Sequence, residues 1–453
     1  MEKNTICAIS TPIGVGGISI VRMSGKDSLD IAEKVFFNNK LSVKSFEPRK
    51  LYLGNLKTKN FNEQCLMVYF KAPNSYTGED LVEFQCHGGV KLAYGILEEL
   101  LEKGAKLSES GEFTKRAFLN GKLSLDEAEG VIDVINSESD SEIRAGYDLM
   151  QGRLKNELIS LQRDLTDCIA KLEVAMDYPE EDLEEETKQD VDLLLKKVKN
   201  KLLELYSSSG TGMKIKNGTK LVILGKANVG KSSLMNALLE YDRAIVTDIK
   251  GTTRDTLEET FEYKGVKFNL VDTAGIRQSV DIVESIGIEK AKKSINIADL
   301  VLFVVDSSEG ITEEDLQIME LLKDNNNVLV VINKVDAKND KFNEKQIPFN
   351  NCVSISAKDN VNIDLLKETI YNLVFDKNIM QSSIVLTNIR HIQIIKEAIS
   401  LVEIAINSIN SELNIDMASL DIKNIWLKLG EITGETNVEE IINTIFSKFC
   451  VGK

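Results

Sequence analysis

A glycine-bounded loop that carries a lysine and a serine follows an apolar run near the middle of the chain. The run covers residues 221–224, the loop covers 225–232, and an apolar helical pattern follows. Strand, loop and helix in this order are the context of a phosphate-binding loop, because glycines let consecutive backbone N–H groups face one polyphosphate and the helix adds its positive end. Lys231 would place a charge on the β- and γ-phosphates, and the Ser232 hydroxyl would ligate Mg²⁺. We therefore predict a nucleotide site rather than a βα turn without a ligand.

Motifs downstream of this loop have the residue types that a magnesium shell and a γ-phosphate sensor need. Gly251-Thr252-Thr253-Arg254-Asp255 follows the first helix, where a second hydroxyl can complete the magnesium shell. Asp272-Thr273-Ala274-Gly275 ends another apolar run. Its aspartate can hold the metal through water, and the N–H of its glycine can meet the γ-phosphate. These motifs indicate a nucleoside triphosphate bound with Mg²⁺.

Base recognition is predicted where two later apolar runs end. One run leads into Asn333-Lys334-Val335-Asp336, and the other ends in Ser356-Ala357-Lys358. The carboxylate of Asp336 can accept both donors on the edge of guanine, which adenine does not offer in that arrangement. The order of all these motifs predicts a GTP-binding domain.

The elements that position these motifs alternate between residues 216 and 377. Short apolar runs cover residues 221–224, 268–271, 300–305, 328–332 and 352–356, and helical patterns separate them. Such alternation implies a parallel sheet with helices on both faces. Residues 216–377 are thus predicted to be an α/β domain.

Apolar residues at helical spacing dominate the regions on either side of this domain. The stripe before it includes Leu154, Leu158, Leu161, Leu165, Ile169 and Leu172, and the stripe after it includes Ile392, Ile395, Ile399, Val402 and Ile406. Long packed helices of this kind favour a bundle. Residues 207–212, rich in serine and glycine, read as a flexible linker. We therefore predict a helical domain, residues 121–215 and 378–453, that the α/β domain interrupts.

The first 120 residues mix short strand and helix patterns, which predicts an α+β domain over residues 1–120. Around Glu83 the period of two places Val82, Phe84 and Cys86 on one face, with Glu83 on the other. By itself, that polar face is more simply a solvated sheet surface than a ligand site.

Composition limits the class of protein. At 453 residues the chain has material for about three domains. Six scattered cysteines without a C-x-x-C pair, and only two histidines, disfavour a disulfide framework and a structural zinc site and favour the reducing cytoplasm. No signal or transit segment and no bilayer-length apolar run is evident, so no membrane role is expected. A net charge of −16 disfavours a broad grip on nucleic acid, so RNA would need a local basic patch or a partner that carries it.

The nucleotide motifs resemble those of the translation-factor-like GTPases of the Ras-type fold. One departure concerns Ile276, which stands where Ras-like proteins place the glutamine that orients the attacking water. No arginine finger is evident, and for the candidates Arg254 and Arg277 a surface ion pair is the default reading. Water and transition-state charge would therefore be handled by other groups.

The whole chain resembles the MnmE (TrmE) family of tRNA-modifying GTPases. The resemblance rests on Asn74-Ser75-Tyr76-Thr77-Gly78-Glu79-Asp80 with Glu83, on His87-Gly88-Gly89, on residues 111–122, on Asn228 with residues 251–255, and on the terminal Cys450-Val451-Gly452-Lys453. It implies an α+β N-terminal domain that binds folate and dimerises, an all-α helical domain, and an inserted α/β P-loop GTPase domain. It also implies an FAD-dependent partner, MnmG (GidA), which joins the homodimer in a heterotetramer or larger complex. Together they would add an aminomethyl or carboxymethylaminomethyl group at C5 of the wobble uridine of certain tRNAs.

The same resemblance implies roles for individual residues of the GTPase domain. The K⁺ ligands would be Asn228, Thr252 and the backbone of Thr247 and Ile249. This K⁺ would sit where an arginine finger would otherwise neutralise transition-state charge. Ser232 and Thr253 would hold Mg²⁺, and Glu284 would orient the water, with Lys231 as the second catalytic residue. The residues expected to contact nucleotide and ions are Asn228, Val229, Gly230, Lys231, Ser232, Ser233, Thr247, Asp248, Ile249, Lys250, Gly251, Thr252, Thr253, Asp272, Thr273, Ala274, Gly275, Asn333, Lys334, Asp336, Ser356, Ala357 and Lys358.

A folate site is implied at Arg22, Glu83, Lys122 and Lys453, with 5-formyltetrahydrofolate or a related tetrahydrofolate as the cofactor. A carboxylate such as Glu83 can accept from the pterin amino and ring N–H groups, and cationic side chains suit the glutamate tail. The resemblance thus favours a ligand site over a solvated surface as the interpretation of the face that carries Glu83. For Lys453 to reach an N-terminal site, the helical domain must fold back, or a second subunit must supply the lysine.

The terminal motif also contains a free cysteine, Cys450. We favour a structural role, as a small buried apolar side chain, over a nucleophile, because reactivity requires a lowered pKa. The alternative to the whole reading is a GTP-regulated ribosome-assembly or scaffold protein whose N-terminal domain binds other proteins.

Overall fold

The computed structural model of the protein describes residues 4–177, 184–240, 259–271, 292–339, 342–376, 384–410, 415–436 and 439–453. The chain forms two compact units. The first draws on residues 1–132, 148–198 and 400–453, and the second draws on residues 133–147 and 199–399.

The described residues form thirteen strands, β1–β13, and fourteen α-helices, α1–α14, in chain order. The strands are β1 (Ile6–Ile9), β2 (Ile18–Ser24), β3 (Phe36–Phe37), β4 (Leu51–Lys57), β5 (Asn62–Phe70), β6 (Leu81–His87), β7 (Lys106–Leu107), β8 (Thr219–Leu224), β9 (Glu259–Tyr263), β10 (Val266–Val271), β11 (Leu300–Asp306), β12 (Val328–Asn333) and β13 (Cys352–Ser354). The helices are α1 (Ser28–Val35), α2 (Val90–Glu102), α3 (Glu112–Leu119), α4 (Leu125–Asn136), α5 (Asp140–Met150), α6 (Arg153–Asp177), α7 (Glu184–Ser207), α8 (Ser209–Asn217), α9 (Lys231–Glu240), α10 (Glu313–Leu322), α11 (Ile363–Val374), α12 (Ile389–Ile409), α13 (Ile415–Thr433) and α14 (Glu439–Phe446).

A seven-stranded sheet in the order β3-β4-β5-β6-β2-β1-β7 forms the N-terminal part of the first unit. The predicted alternation in β6 is confirmed, because Val82, Phe84 and Cys86 are buried and Glu83 is half-buried on the opposite face. The antiparallel register of β2 and β6 sets Arg22 directly opposite Glu83. The sheet therefore brings together two residues that are 61 positions apart in the chain.

The helical part of the first unit centres on α6, which packs along α13. The predicted apolar stripe of α6 is confirmed: Leu154, Leu158, Leu161, Leu165 and Leu172 are buried, and Ile169 is half-buried. After α14 the chain returns to the N-terminal domain, where Val451 forms an antiparallel bridge with Ser110. The C-terminus is thereby joined to the edge of the domain that begins the chain.

A six-stranded sheet in the order β13-β12-β11-β8-β10-β9 is the centre of the second unit. All of its pairs are parallel except β9 with β10. The predicted strands are confirmed to within a few residues, and β9 was missed. Its residues mix two glutamates with a buried Phe261 and a half-buried Tyr263, so they lack the continuous apolar run by which the parallel strands were found.

The linker predicted at residues 207–212 is wrong, because α8 begins at Ser209. Ser208 is buried, and its hydroxyl accepts the backbone N–H of Leu386 at 3.0 Å. A Cβ on Gly212 would lie 2.0 Å from the Leu386 carbonyl oxygen. The small residues here allow close packing of a helix against a neighbouring segment, and composition alone cannot distinguish this use of glycine and serine from a linker.

Among the described residues, no helix combines the length and apolar character that crossing a bilayer requires.

Candidate functional site

The carboxyl ends of the parallel strands bring those predicted motifs that lie within the described residues to one edge of the six-stranded sheet. The phosphate-binding loop follows β8, Asp306 ends β11, Asn333 ends β12, and Ser356 lies just beyond β13. In open sheets of this type, ligands bind outside the carboxyl ends of the strands. The sheet therefore brings loops that are far apart in sequence to one edge, where a ligand is expected.

The phosphate-binding loop needs glycine at both of its ends. Gly225 has a φ of 154° and Gly230 a φ of 97°, which other residues rarely adopt. A Cβ on Gly225 would lie 2.5 Å from the Val304 carbonyl oxygen, and a Cβ on Gly230 would lie 2.3 Å from Asn333 Nδ2. Between them, Asn228 is exposed in a left-handed conformation with a φ of 63°. The backbone turns tightly, and the Asn228 side chain is left at the surface of the loop.

Lys231 begins α9 and reaches back over the loop. Its Nζ donates to the carbonyl oxygens of Gly225 at 2.7 Å and Lys226 at 2.5 Å. Ser232 and Ser233 follow in the first turn, half-buried and exposed respectively. The ammonium group, the serine hydroxyl and the positive end of α9 thus share one place, which suits an anion with a bound cation.

Asn333 was predicted as a nucleotide contact, but its side-chain amide is engaged within the protein. Nδ2 donates to the Val229 carbonyl oxygen at 2.8 Å, and Oδ1 accepts the Ala357 N–H at 3.0 Å. Asn333 is buried. Its side-chain amide therefore links the phosphate-binding loop to the 356–358 loop.

Asp306 is a site residue that the sequence analysis missed. Its Oδ2 lies 2.5 Å from Lys334 Nζ, and its Oδ1 accepts the Ser308 hydroxyl at 2.6 Å. Burial by itself would raise the pKa of Asp306, but the hydrogen bonds from Lys334 and Ser308 outweigh it and lower that pKa. Its position at the end of an apolar run, like those of Asp272 and Asn333, was the signal that could have identified it.

Asp336 and Lys358 are both exposed at the same edge, whereas Ser356 and Ala357 are buried. A hydrogen bond from Ser356, followed by the charges of Lys358 and Lys334, lowers the pKa of Asp336. An exposed and ionised carboxylate is the acceptor that the two donors of guanine require.

Several predicted site residues lie outside the described residues. They are Thr247, Asp248, Ile249, Lys250, Gly251, Thr252, Thr253, Asp272, Thr273, Ala274, Gly275 and Glu284, together with Arg254, Ile276 and Arg277.

A second charged site lies on the seven-stranded sheet of the first unit. Arg22 Nε donates to Glu83 Oε1 at 2.8 Å, and the two side chains are only 17% and 13% exposed. The Arg22 guanidinium lies 5.9 Å from the ring centre of Tyr76 and 5.8 Å from that of Phe113. An ion pair and two aromatic rings therefore lie close together at this point of the sheet.

The chain's own C-terminus completes this second site. The Gly452 carbonyl oxygen accepts from Ser10 Oγ at 3.2 Å and from Arg22 Nη1 at 3.5 Å. Burial, followed by the charge of Arg22, lowers the pKa of Lys453. Lys453 thus lies near Arg22 of its own N-terminal domain, which is the arrangement that folding back within one chain requires.

Lys122, the remaining predicted member of that site, is exposed, and its Nζ donates to the Pro73 carbonyl oxygen at 3.0 Å. It is therefore held by the 72–80 loop and not by Arg22 or Glu83. Within that loop the Glu79 carboxylate accepts hydrogen bonds from Ser24 and from Arg116. These bonds connect the 72–80 loop to β2 and to α3.

The expectation that Cys450 is a buried apolar side chain is wrong, because Cys450 is exposed. Its backbone makes the structural contact instead: the Cys450 carbonyl oxygen accepts the Gly111 N–H at 3.3 Å.

The six-stranded sheet is parallel except for β9, and its first strand, β8, leads into a glycine-bounded loop that contains a lysine. The ionised aspartate of the Asn-Lys-x-Asp motif lies at the same edge of the sheet. Together these features define the class of P-loop GTPases. Residues 5–122 match the family described as GTP-binding protein TrmE N-terminus, and residues 125–450 match the family described as MnmE helical domain. The chain belongs to the MnmE family of tRNA modification GTPases. This assignment confirms the predicted fold class of an α+β N-terminal domain, an all-α helical domain and an α/β P-loop GTPase domain.

Relatives that match along nearly the whole chain carry the same family name. The chain is 42% identical over 456 residues to the tRNA modification GTPase MnmE of Clostridioides difficile, covering 99% of each chain. It is 39% identical over 464 residues to the MnmE of Desulforamulus reducens, covering 100% of each. Among solved structures, it is similar to the G domain of the T. maritima FeoB iron transporter, at 28% identity and a TM-score of 0.26, over 35% of this chain and 99% of that chain. It is also similar to Era in complex with MgGDPNP and a 16S ribosomal RNA segment, at 29% identity and a TM-score of 0.28, over 35% and 57%.

Proposed function

We propose that this chain is a potassium-stimulated GTPase that acts with an FAD-dependent MnmG partner to modify C5 of the wobble uridine of tRNA, using a one-carbon unit of tetrahydrofolate. The observation that carries the proposal is that one chain holds both a P-loop site and the separate Arg22–Glu83 site that its own C-terminus completes. Relatives of the same length are named tRNA modification GTPases, which supports the overall reaction.

The nucleotide part of the proposal assigns the phosphates to the loop after β8 and to Lys231. Ser232 would hold Mg²⁺, whose chemistry is to neutralise charge on the β- and γ-phosphates. Thr253 would supply a second hydroxyl, and Glu284 would orient the water. Asp336 would bind guanine, and its lowered pKa supports an ionised acceptor.

The potassium part rests on Asn228. Its amide oxygen is a hard neutral donor of the type that alkali cations accept, and its exposed position on the loop tip fits a cation beside the phosphates. The other proposed ligands are Thr252 and the backbone of Thr247 and Ile249. A bound cation there would supply the positive charge that an arginine finger supplies elsewhere.

The folate part rests on the charges of the second site. Arg22 and Lys453 place two basic side chains beside the carboxylate of Glu83, and basic side chains suit the anionic glutamate tail of a folate. A carboxylate has more lone pairs than one arginine uses, so Glu83 can also accept from pterin N–H groups. Lys122 would extend the positive charge towards the loop that holds it.

The domains would span residues 1–120, residues 121–215 with 378–453, and residues 216–377. The six-stranded sheet between Thr219 and Ser354 supports the last of these limits. The protein would be a cytoplasmic homodimer that forms a heterotetramer or larger complex with MnmG. Because its net charge is −16, the partner would supply much of the tRNA-binding surface.

The potassium proposal is tested by GTP hydrolysis at equal ionic strength in KCl and NaCl. We expect a rate at least about tenfold higher in KCl, because a positive charge held beside the transferred phosphoryl group stabilises the charge that develops in the transition state. The rate per enzyme should also rise with enzyme concentration if two GTPase domains must meet. Equal rates in the two salts would contradict the role of Asn228.

The reaction itself is tested by mass spectrometry of wobble uridines from cells with and without the gene. We expect the C5-modified nucleosides to disappear on deletion, and the purified protein to bind 5-formyltetrahydrofolate. Unchanged modification together with no folate affinity would instead favour the GTP-regulated ribosome-assembly or scaffold protein.

A further inference from the structure

Lys226, the second residue of the phosphate-binding loop, directs its ammonium group away from the loop tip and into the segment that follows β11. Nζ lies 3.0 Å from Glu309 Oε2, 3.3 Å from Thr312 Oγ1 and 3.5 Å from Asp315 Oδ2. The Lys226 side chain is only 8% exposed. Burial alone would lower the pKa of Lys226, but Glu309 and Asp315 outweigh it and raise that pKa. This lysine is therefore a fixed, charged anchor.

Asp315 is the buried partner that needs this cation. Its Oδ2 accepts the Thr312 backbone N–H at 3.0 Å and the Thr312 hydroxyl at 2.8 Å, which caps α10. The carboxylate is fully buried, and its Oδ1 has no hydrogen-bond partner. A buried carboxylate is costly unless a cation compensates it, and Lys226 from the phosphate-binding loop lies within ion-pair distance.

The backbone of the same residue belongs to the phosphate side of the loop. The Lys226 carbonyl oxygen accepts from Lys231 Nζ at 2.5 Å. Further along the loop, Asn333 Nδ2 holds the Val229 carbonyl oxygen at 2.8 Å. The loop is thus fixed on both sides of its exposed residue Asn228, by Lys226 before it and by Val229 after it.

We propose that Lys226 is a positioning residue, whose ion pairs with Glu309 and Asp315 hold the phosphate-binding loop in the conformation that receives the nucleotide. The inference rests on the proposed GTP-binding function and adds a residue to it. Lys226 acts through the backbone of the loop and through Lys231. Because a preorganised loop loses less freedom when it binds a ligand, release of the anchor weakens GDP and GTP binding alike.

The test is a fluorescence titration of the full-length protein with a labelled GDP. For Lys226→Met we expect the Kd for GDP to rise by about tenfold, and the KM for GTP to rise similarly with little change in kcat, because the lost contact acts on ground state and transition state equally. Lys226→Arg keeps the cation and should stay within about twofold of the wild type. The matched control is Lys323→Met, which removes an exposed lysine that pairs with Glu320 at the end of the same helix α10 and should bind GDP as the wild type does.

A second variant separates positioning from the cost of an unpaired buried charge. Lys226→Met combined with Asp315→Asn removes both charges, so the protein folds without a lone buried carboxylate, yet the loop still lacks its anchor. We expect this double variant to keep the weak GDP binding. Wild-type affinity in the double variant, or in a folded Lys226→Met single variant, would overturn the proposal. Failure of the wild type to bind GDP would instead contradict the GTP-binding function itself.

Discussion

Asn333 connects the phosphate-binding loop to the 356–358 loop through the two ends of one amide. Its Nδ2 lies 2.8 Å from the Val229 carbonyl oxygen, and its Oδ1 lies 3.0 Å from the Ala357 nitrogen. Both partner residues are buried, so neither backbone group has water as an alternative. The relationship makes the geometry of phosphate binding depend on a residue at the end of a different strand.

Asn333→Ala should therefore destabilise the protein and weaken nucleotide binding together. The change leaves a carbonyl and an N–H buried without partners, and each unsatisfied group lowers the free energy of unfolding by about 1–3 kcal/mol. Urea unfolding followed by circular dichroism measures the loss, and a GDP titration measures the affinity. Asn372→Ala, which removes an exposed amide that donates to the Glu368 side chain, is the control and should change the free energy of unfolding by less than about 0.5 kcal/mol. Equal behaviour of the two variants would contradict the connecting role.

Asp336→Asn should change the base that the protein selects. The asparagine amide presents one donor and one acceptor, whereas the aspartate carboxylate presents acceptors only. The amide donor can bond the carbonyl oxygen that xanthine has in place of the amino group of guanine, so the asparagine fits xanthine better. Loss of hydrogen bonds to a charged group, about 1.5–3 kcal/mol, lowers the affinity for GDP by about 10- to 100-fold. Competition titrations with GDP and XDP measure the change in the relative affinity for the two bases. An unchanged preference for GDP would remove Asp336 from the base site.

Gly452→Ala should weaken folate binding and leave GTP hydrolysis intact. Gly452 has a φ of 95°, and a Cβ there would lie 2.3 Å from the Ile9 carbonyl oxygen, so the substitution pushes the C-terminus away from Arg22. We expect the Kd for 5-formyltetrahydrofolate, measured by calorimetry, to rise by about tenfold, since charged contacts of this kind contribute about 1.5–3 kcal/mol. Gly210→Ala, in a helix where a Cβ meets nothing within 4 Å, is the control and should bind folate as the wild type does. Wild-type folate affinity in Gly452→Ala would separate the C-terminus from that site.

Asp306 should make stability fall in acid. Its folded-state pKa is lowered from the ordinary value of 3.8, so its contribution is present above that value and is lost as the pH falls through the folded-state pKa. The free energy of unfolding of the wild type should therefore decrease below about pH 4. Asp306→Asn should be less stable at neutral pH by about 1.5–3 kcal/mol and should show a flatter dependence in that window.

Urea midpoints between pH 2.5 and 7 measure this dependence. Asp324→Asn, which changes an exposed aspartate, should retain the wild-type profile. Parallel profiles for the wild type and Asp306→Asn would contradict the contribution of the pair with Lys334.

The sequence by itself determined the elements whose signals are local. Apolar runs of strand length located the parallel strands, because a strand covered on both faces must be apolar throughout. Glycine and lysine spacing located the phosphate-binding loop, because only that order of residues places N–H groups and an ammonium on one phosphate. The mixed strand β9 was missed and the Ser-Gly segment before β8 was misread, since their residue types suit more than one environment.

Only the tertiary structure decided which residues act together. The pairing of Arg22 with Glu83 depends on strand register. The return of Lys453 to the N-terminal sheet depends on Gly452, which has a left-handed conformation and lies so close to the Ile9 backbone that no side chain fits between them. The link that Asn333 makes between two loops depends on two backbone groups that packing leaves without water. Sequence specifies residue type and local period, whereas distances between residues far apart in the chain are fixed by how the sheets and helices pack.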